Sequence, residues 1–259
     1  FFLLGAVYFA IIFLSSQYLE PPPKDWVPAS MREASLQESS KPVKPKNIDL
    51  AQLTAKEALG TRRFYFMWLM LFINVTCGIA VISVASPMAQ DVAGMSQMQA
   101  AFMVGLMGLF NGIGRIGWAS ASDFLGRPQT YLVFFVLQIL AFAILANVTN
   151  PLLFQGIIFL VLTCYGGGFS TVPAFLGDLF GTKELGAIHG YTLTAWAAAG
   201  VAGPTIVSVV RDLTNGYAQT LFIFAGLFGL AVAITLLMMH NITSIRRANA
   251  RQENVLKQA

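Results

Sequence analysis

The 259-residue chain is 56% hydrophobic and only 11% charged, with a mean hydropathy of +0.66. A soluble globule of this length cannot hide so much apolar surface, a disordered chain would lack it, and 2 cysteines cannot staple a secreted scaffold. The formal charge of +4 does not point to nucleic acid, because the basic residues sit between apolar stretches. What remains is an all-α, polytopic membrane protein whose surroundings are the lipid bilayer.

Residues 1–19 are almost wholly apolar, with neither an initiator Met nor the basic n-region of a signal peptide. They read as a partial transmembrane helix, the chain beginning inside it as a fragment of a longer protein. Residues 20–63 are polar and read as a linker. They hold Pro21, Pro22 and Pro23, a Ser/Lys/Pro stretch over 35–46, and a short amphipathic helix near Leu50–Leu59. Residues 64–240 hold six spans, expected over 64–88, 98–121, 130–146, 152–175, 187–210 and 220–239. Each is about long enough for a ~30 Å hydrocarbon core, the third barely so. None alternates with the period of 2 that a β-barrel needs. Residues 241–259 form a basic tail.

Successive loops fall on alternating sides, and all but one of the 16 Lys and Arg then lie on the same side, Arg211 being the exception. The positive-inside rule puts the linker and the C-terminal tail in the cytoplasm of a multi-pass protein of the cell (plasma or inner) membrane.

The second full span runs into Gly117-Trp-Ala-Ser-Ala-Ser-Asp123-Phe-Leu-Gly126-Arg127-Pro128. This resembles the loop motif G-x-x-x-D-[RK]-x-G-R-[RK] of the major facilitator superfamily. Asp123, Gly126 and Arg127 match it, while Ala119, Phe124 and Pro128 depart from it. The resemblance implies a gating lock in which Asp123 faces Arg127 or a neighbouring helix N-terminus and Gly126 permits a tight turn. The plainer reading is a polar turn that orients two helices.

Longer segments narrow the resemblance. Pro22-Pro23-Lys-Asp-Trp26-Val-Pro28, Phe64 to Gly78, Phe110-Asn111-Gly-Ile-Gly-Arg115, Gly166-Gly-Gly-Phe169-Ser-Thr-Val-Pro173 and Asp178 to Gly190 are similar to the oxalate/formate antiporter family of that superfamily. The resemblance implies a major facilitator fold, here its C-terminal six-helix half plus the end of helix 6. It also implies a missing N-terminal six-helix half as partner, and a small organic anion such as oxalate, formate or lactate as substrate.

Arg115 is the most informative residue. It lies eight positions before Asp123, about 12 Å along a helix, and so inside the membrane, where a charge is rarely kept without a task. Asn111 precedes it by four residues on the same face. A guanidinium beside an amide suits a carboxylate. The alternatives are an Arg snorkelling to the headgroups or one paired with a carboxylate of the missing half. The resemblance implies a second cation, a Lys, for dicarboxylates. Near Thr194-Ala195-Trp196-Ala197 this chain has Trp196 and no Lys. One cation suits one carboxylate, so a monocarboxylate, lactate-like or formate-like, is expected over oxalate.

Tyr165, Phe169 and Trp196 are expected to wall the cavity around the anion; as membrane aromatics they also fit lipid contact or packing. Adjacent glycines 166–168 and Pro173 permit close contact and a bend. Gly108/Gly112 and Gly186/Gly190 have small-xxx-small spacing and are expected to pack on neighbours. No Asp or Glu falls in the middle of a span, which leaves exchange and proton symport equal. No cofactor or metal site and no catalytic residue is indicated. The enzyme rival is an intramembrane serine protease using Ser170 of a G-x-S triplet and His189. An expected depth offset of roughly 8 Å between them, and the position of Ser170 inside a continuous span, count against it. A non-transporting scaffold and a carrier of another solute are the remaining rivals.

Overall fold

Short polar residues and glycines punctuate long apolar runs, and the helices follow that punctuation. The computed structural model describes residues 2–18 and 50–258, without the side chains of 252–258. The prolines of the expected linker and its 35–46 stretch lie outside the described residues. The chain divides into two units, residues 1–46 and 47–259. In the first, α1 (Phe2–Ser16) is apolar all round and 15 residues long.

The second unit begins with a strap. Leu50 and Leu53 N–H groups donate to the carbonyls of Asp178 and Phe180, both at 2.9 Å, and Thr182 N–H donates to Gln52 Oε1 at 3.2 Å. The strap leads into α2 (Ala55–Leu59), the observed core of the amphipathic helix expected near 50–59. Ala55 N–H, at its start, donates to the Glu184 carboxylate at 2.7 Å. A capping box closes α2: the backbone N–H and hydroxyl of Thr54 both reach Glu57 Oε2 at 2.8 Å, and Glu57 N–H returns to Thr54 Oγ1. These two donors, the backbone one foremost, hold the Glu57 carboxyl below the usual carboxylate range. A depressed carboxylate stabilises above its unfolded pKa and loses that contribution as pH falls through its folded pKa. Hydrogen exchange corrected for intrinsic rates should therefore show the 55–58 amides losing protection on acidification, and Glu57→Gln should flatten the profile. A wild-type profile already flat would contradict this.

Six helical spans follow that are long and apolar enough to cross a membrane. They are α3 (Arg62–Ala93), α4 (Gln97–Leu125), α5 (Arg127–Leu145), α6 with α7 (Pro151–Ser170 and Val172–Phe180), α8 with α9 (Leu185–Thr192 and Thr194–Thr214), and α10 (Ala218–Gln258). No strand occurs among the described residues. Thr61, Ser96 and Asn150 accept first-turn N–H groups of α3, α4 and α6, and Gly94 ends α3 in the left-handed region at φ 63°.

Two of the six spans are each interrupted by one turn residue that keeps right-handed helical dihedrals. The first interruption agrees with the bend that Pro173 permits, and the second falls inside the span expected over 187–210. The first break is at Thr171. Pro173 has no N–H to offer the Phe169 carbonyl, and the Thr171 hydroxyl turns back to the Gly167 carbonyl at 2.9 Å. The second is at Leu193, between two hydroxyls that also bond backward: Thr192 to the Ile188 carbonyl at 2.9 Å and Thr194 to that of Tyr191 at 2.7 Å.

The central helix is α3, which packs on α4, α6, α9 and α10 and has the largest buried share of any span. A ladder of aromatic rings, Phe135, Phe142, Phe224 and Phe228, joins α5 to α10. Glycines set the closest approaches. Gly114 faces the Thr163 backbone, Gly166 the Asn111 backbone, Gly167 the Trp118 side chain and Gly203 the Thr76 backbone, each with no room for a Cβ. The expected small-residue pairs are corrected: at Gly108, Gly112, Gly186 and Gly190 a Cβ would meet nothing among the described residues. They lie on α4 and α8, and the α4 and α8–α9 spans are the least buried.

Candidate functional site

The five residues expected to hold a substrate form one connected group on α4, α6 and α9. Arg115 Nε donates to Asn111 Oδ1 at 3.1 Å, the i,i+4 contact that a helix provides. The Arg115 guanidinium carbon lies 5.7 Å from the centre of the Phe169 ring. Phe169 meets Trp196 edge to face at 5.4 Å and Tyr165 at 6.4 Å.

Exposure separates their parts. Arg115 is exposed, and Trp196 is 48% exposed. Phe169 and Asn111 are half-buried. Tyr165 is only 8% exposed, with its ring against Gly78 of α3, so it backs the wall rather than facing outward. Among the described residues Arg115 has no ion-pair partner. With Nε held by Asn111, the two terminal nitrogens remain for an incoming group. That edge of a guanidinium presents two parallel N–H donors, the fork that matches a carboxylate. An anion there would meet Phe169 and Trp196 beside it, surfaces that exclude water and strengthen the charge contact.

The loop-motif residues also come together. Gly126 adopts φ 94°, ψ 145°, a conformation that L side chains rarely take, and ends α4 with its N–H on the Ser122 carbonyl at 3.0 Å. Arg127 opens α5 and turns back: Nη2 meets Asp123 Oδ1 at 2.5 Å, and Nη1 meets the Ser122 hydroxyl. Its Nε lies 3.7 Å from Asp178 Oδ2 of α7, an ion pair too long for a hydrogen bond. The α4–α5 turn is thus clamped to α7. At the other end of the bundle, Arg211 of α9 pairs with Asp91 of α3 at 2.8 Å and lies over the Tyr217 ring.

Sequence reasoning missed three contacts. The Ser170 hydroxyl donates to the Arg115 carbonyl at 2.9 Å, with the Gly167 carbonyl at 3.2 Å. Trp68 Nε1 donates to Thr194 Oγ1 at 2.9 Å, joining α3 to the start of α9. Gln138 Nε2 donates to Asn74 Oδ1 at 3.1 Å inside the core. Each joins residues 55 to 126 positions apart, beyond any local pattern. The protease rival loses its premise, since the Ser170 proton is directed to backbone carbonyls rather than to His189. Cys77 and Cys164 are free and buried.

Comparison with known proteins agrees with this architecture. The chain is similar to a protein described as an oxalate:formate antiporter from Oxalobacter formigenes, 25% identical over 149 residues. The alignment takes in 57% of this chain and 35% of that protein, so the chain matches about a third of that relative's length. The family model of the Major Facilitator Superfamily matches residues 1–204. With that match over most of its length and six helices long and apolar enough to cross a membrane, the chain belongs to the Major Facilitator Superfamily of membrane transporters.

Proposed function

We propose that this chain is the C-terminal half of a secondary transporter of small carboxylates, with Arg115 as its main anion ligand. The observation that carries the reading is the Arg115 guanidinium, oriented by Asn111 and flanked by Phe169 and Trp196 on an exposed face of the bundle. The similarity to a protein named for oxalate and formate supports the carboxylate class.

In this reading residues 1–19 are the end of helix 6, 20–63 a cytoplasmic linker, 64–240 the six-helix domain and 241–259 a cytoplasmic tail. A missing N-terminal half supplies the other cavity wall, and the halves rock about a midplane site. Asn111 spends Nε and leaves the terminal nitrogens for one carboxylate. Phe169 and Trp196 cover the substrate's apolar side, with Tyr165 behind them. Asp123, Gly126 and Arg127 lock the cytoplasmic end, steadied by Asp178.

The substrate is a monocarboxylate, lactate-like or formate-like. The six spans bring one cation to the aromatic group, and a dicarboxylate would leave its second charge unpaired at a cost of several kcal/mol. Uptake of labelled lactate, formate and oxalate into vesicles carrying the full-length protein should rank a monocarboxylate first, by about tenfold or more over oxalate. Strong preference for oxalate would end the one-cation argument and favour the second reading, an oxalate/formate exchanger whose second cation lies in the other half.

A further inference from the structure

We propose that Ser170 is a positioning residue that ties Arg115 to the break between α6 and α7, so that anion occupancy and bending of this span move together. The inference rests on the reading of Arg115 as the anion ligand.

Ser170 is the last residue of α6, and the break at Thr171 follows it. Two consecutive residues at this break grip Arg115 at both ends. The Phe169 ring lies against the guanidinium, and the Ser170 hydroxyl holds the main-chain carbonyl. Before the break, α6 and α4 are in backbone contact through Gly114 and Gly166. After it, α7 packs on α5, α6 and α8, and its strongest tie to the α4–α5 turn is Arg127–Asp178 at the far end. Ser170 therefore carries a hydrogen bond to α4 from the last residue of α6, immediately before the interruption at Thr171.

A serine hydroxyl has one proton and here two carbonyls in reach, Arg115 at 2.9 Å and Gly167 at 3.2 Å. Directed to Gly167, it closes a bond within its own helix. Directed to Arg115, it couples the break to α4. An anion that neutralises the guanidinium weakens the attraction of Arg115 for the Phe169 ring. That releases one of the two grips on the break. The hydroxyl keeps the other, so the two helices stay in register while the segment beyond Thr171 swings.

The test uses the full-length protein in vesicles, with labelled lactate, formate and oxalate as probes. Ser170→Ala should bind the preferred probe within about twofold of wild type but exchange it about fivefold more slowly, the loss expected for one hydrogen bond. Ser170→Thr, which keeps the hydroxyl, should restore the rate. Ser170→Cys, a weaker donor of similar size, should be slowed as well and gives the reading if the Ala variant does not fold. Exchange at the wild-type rate in Ser170→Cys or Ser170→Ala overturns the proposal. So does a loss of affinity as large as that of Arg115→Gln, which would make Ser170 a support of the binding site alone. Failure of the underlying reading looks different. Arg115→Gln would then bind as tightly as wild type, or wild type would take up none of the three probes, whatever Ser170 does.

Discussion

Arg115→Gln should raise the apparent KM of carboxylate uptake by about tenfold to a hundredfold at equal protein level. Hydrogen bonds to a charged group contribute about 1.5–3 kcal/mol, and each 1.4 kcal/mol is a factor of ten. Gln keeps a polar head and the helix but removes the charge and the two-pronged edge. Arg115→Lys should recover only part of the loss, because an ammonium has no planar fork and cannot donate to Asn111 Oδ1 at the same geometry. Asn111→Leu should weaken binding less than Arg115→Gln does, since it frees the guanidinium to rotate without removing its charge. The order to expect in labelled-carboxylate uptake is wild type, Asn111→Leu, Arg115→Gln. Normal transport by Arg115→Gln would make Arg115 structural.

The second large effect concerns packing. Gly166→Ala should lower the apparent melting temperature of the purified protein by about 5 °C or more, whereas Gly229→Ala should leave it unchanged or raise it. The two substitutions are chemically identical and both sit in helices. At Gly166 the new Cβ would strike the Asn111 backbone carbonyl, and backbone cannot turn aside as a flexible side chain can. Overpacking of this kind costs about 1–3 kcal/mol, or several degrees in a chain of this size. At Gly229 a Cβ would meet nothing within 4 Å, and replacing Gly by Ala in a helix is worth about 1 kcal/mol. Gly166→Ala should also weaken uptake, because the atom displaced belongs to Asn111, the residue that orients Arg115. Equal melting temperatures for the two variants would contradict the close α4–α6 contact.

These two results bear on different parts of what is legible in a linear chain. The apolar runs determined by themselves that the protein is α-helical and membrane-spanning, because a hydrocarbon core of ~30 Å demands long uninterrupted apolar segments. Local chemistry was equally readable. Asn111 and Arg115 meet because i and i+4 share a helix face, and Gly126 turns the chain because it alone tolerates a φ of 94°. The Pro173 bend followed from a missing N–H.

Tertiary structure decided the rest, since it rests on contacts that sequence spacing does not encode. The glycines spaced Gly108/Gly112 look like an interface, yet Gly114 and Gly166 make the close approach. Which side of a helix meets a neighbour depends on how the bundle assembles. Tyr165 and Phe169 share one turn, but the rotation of α6 buries the first against Gly78 and leaves the second beside Arg115. Ser170 had only a G-x-S triplet to recommend it. Its partner, the Arg115 carbonyl, is a backbone atom that every residue carries, so no side-chain pattern could announce the bond. The spans and the charge of Arg115 are properties of short windows of sequence, while the ties from Arg115 to Phe169 and Ser170 exist only once the helices have packed.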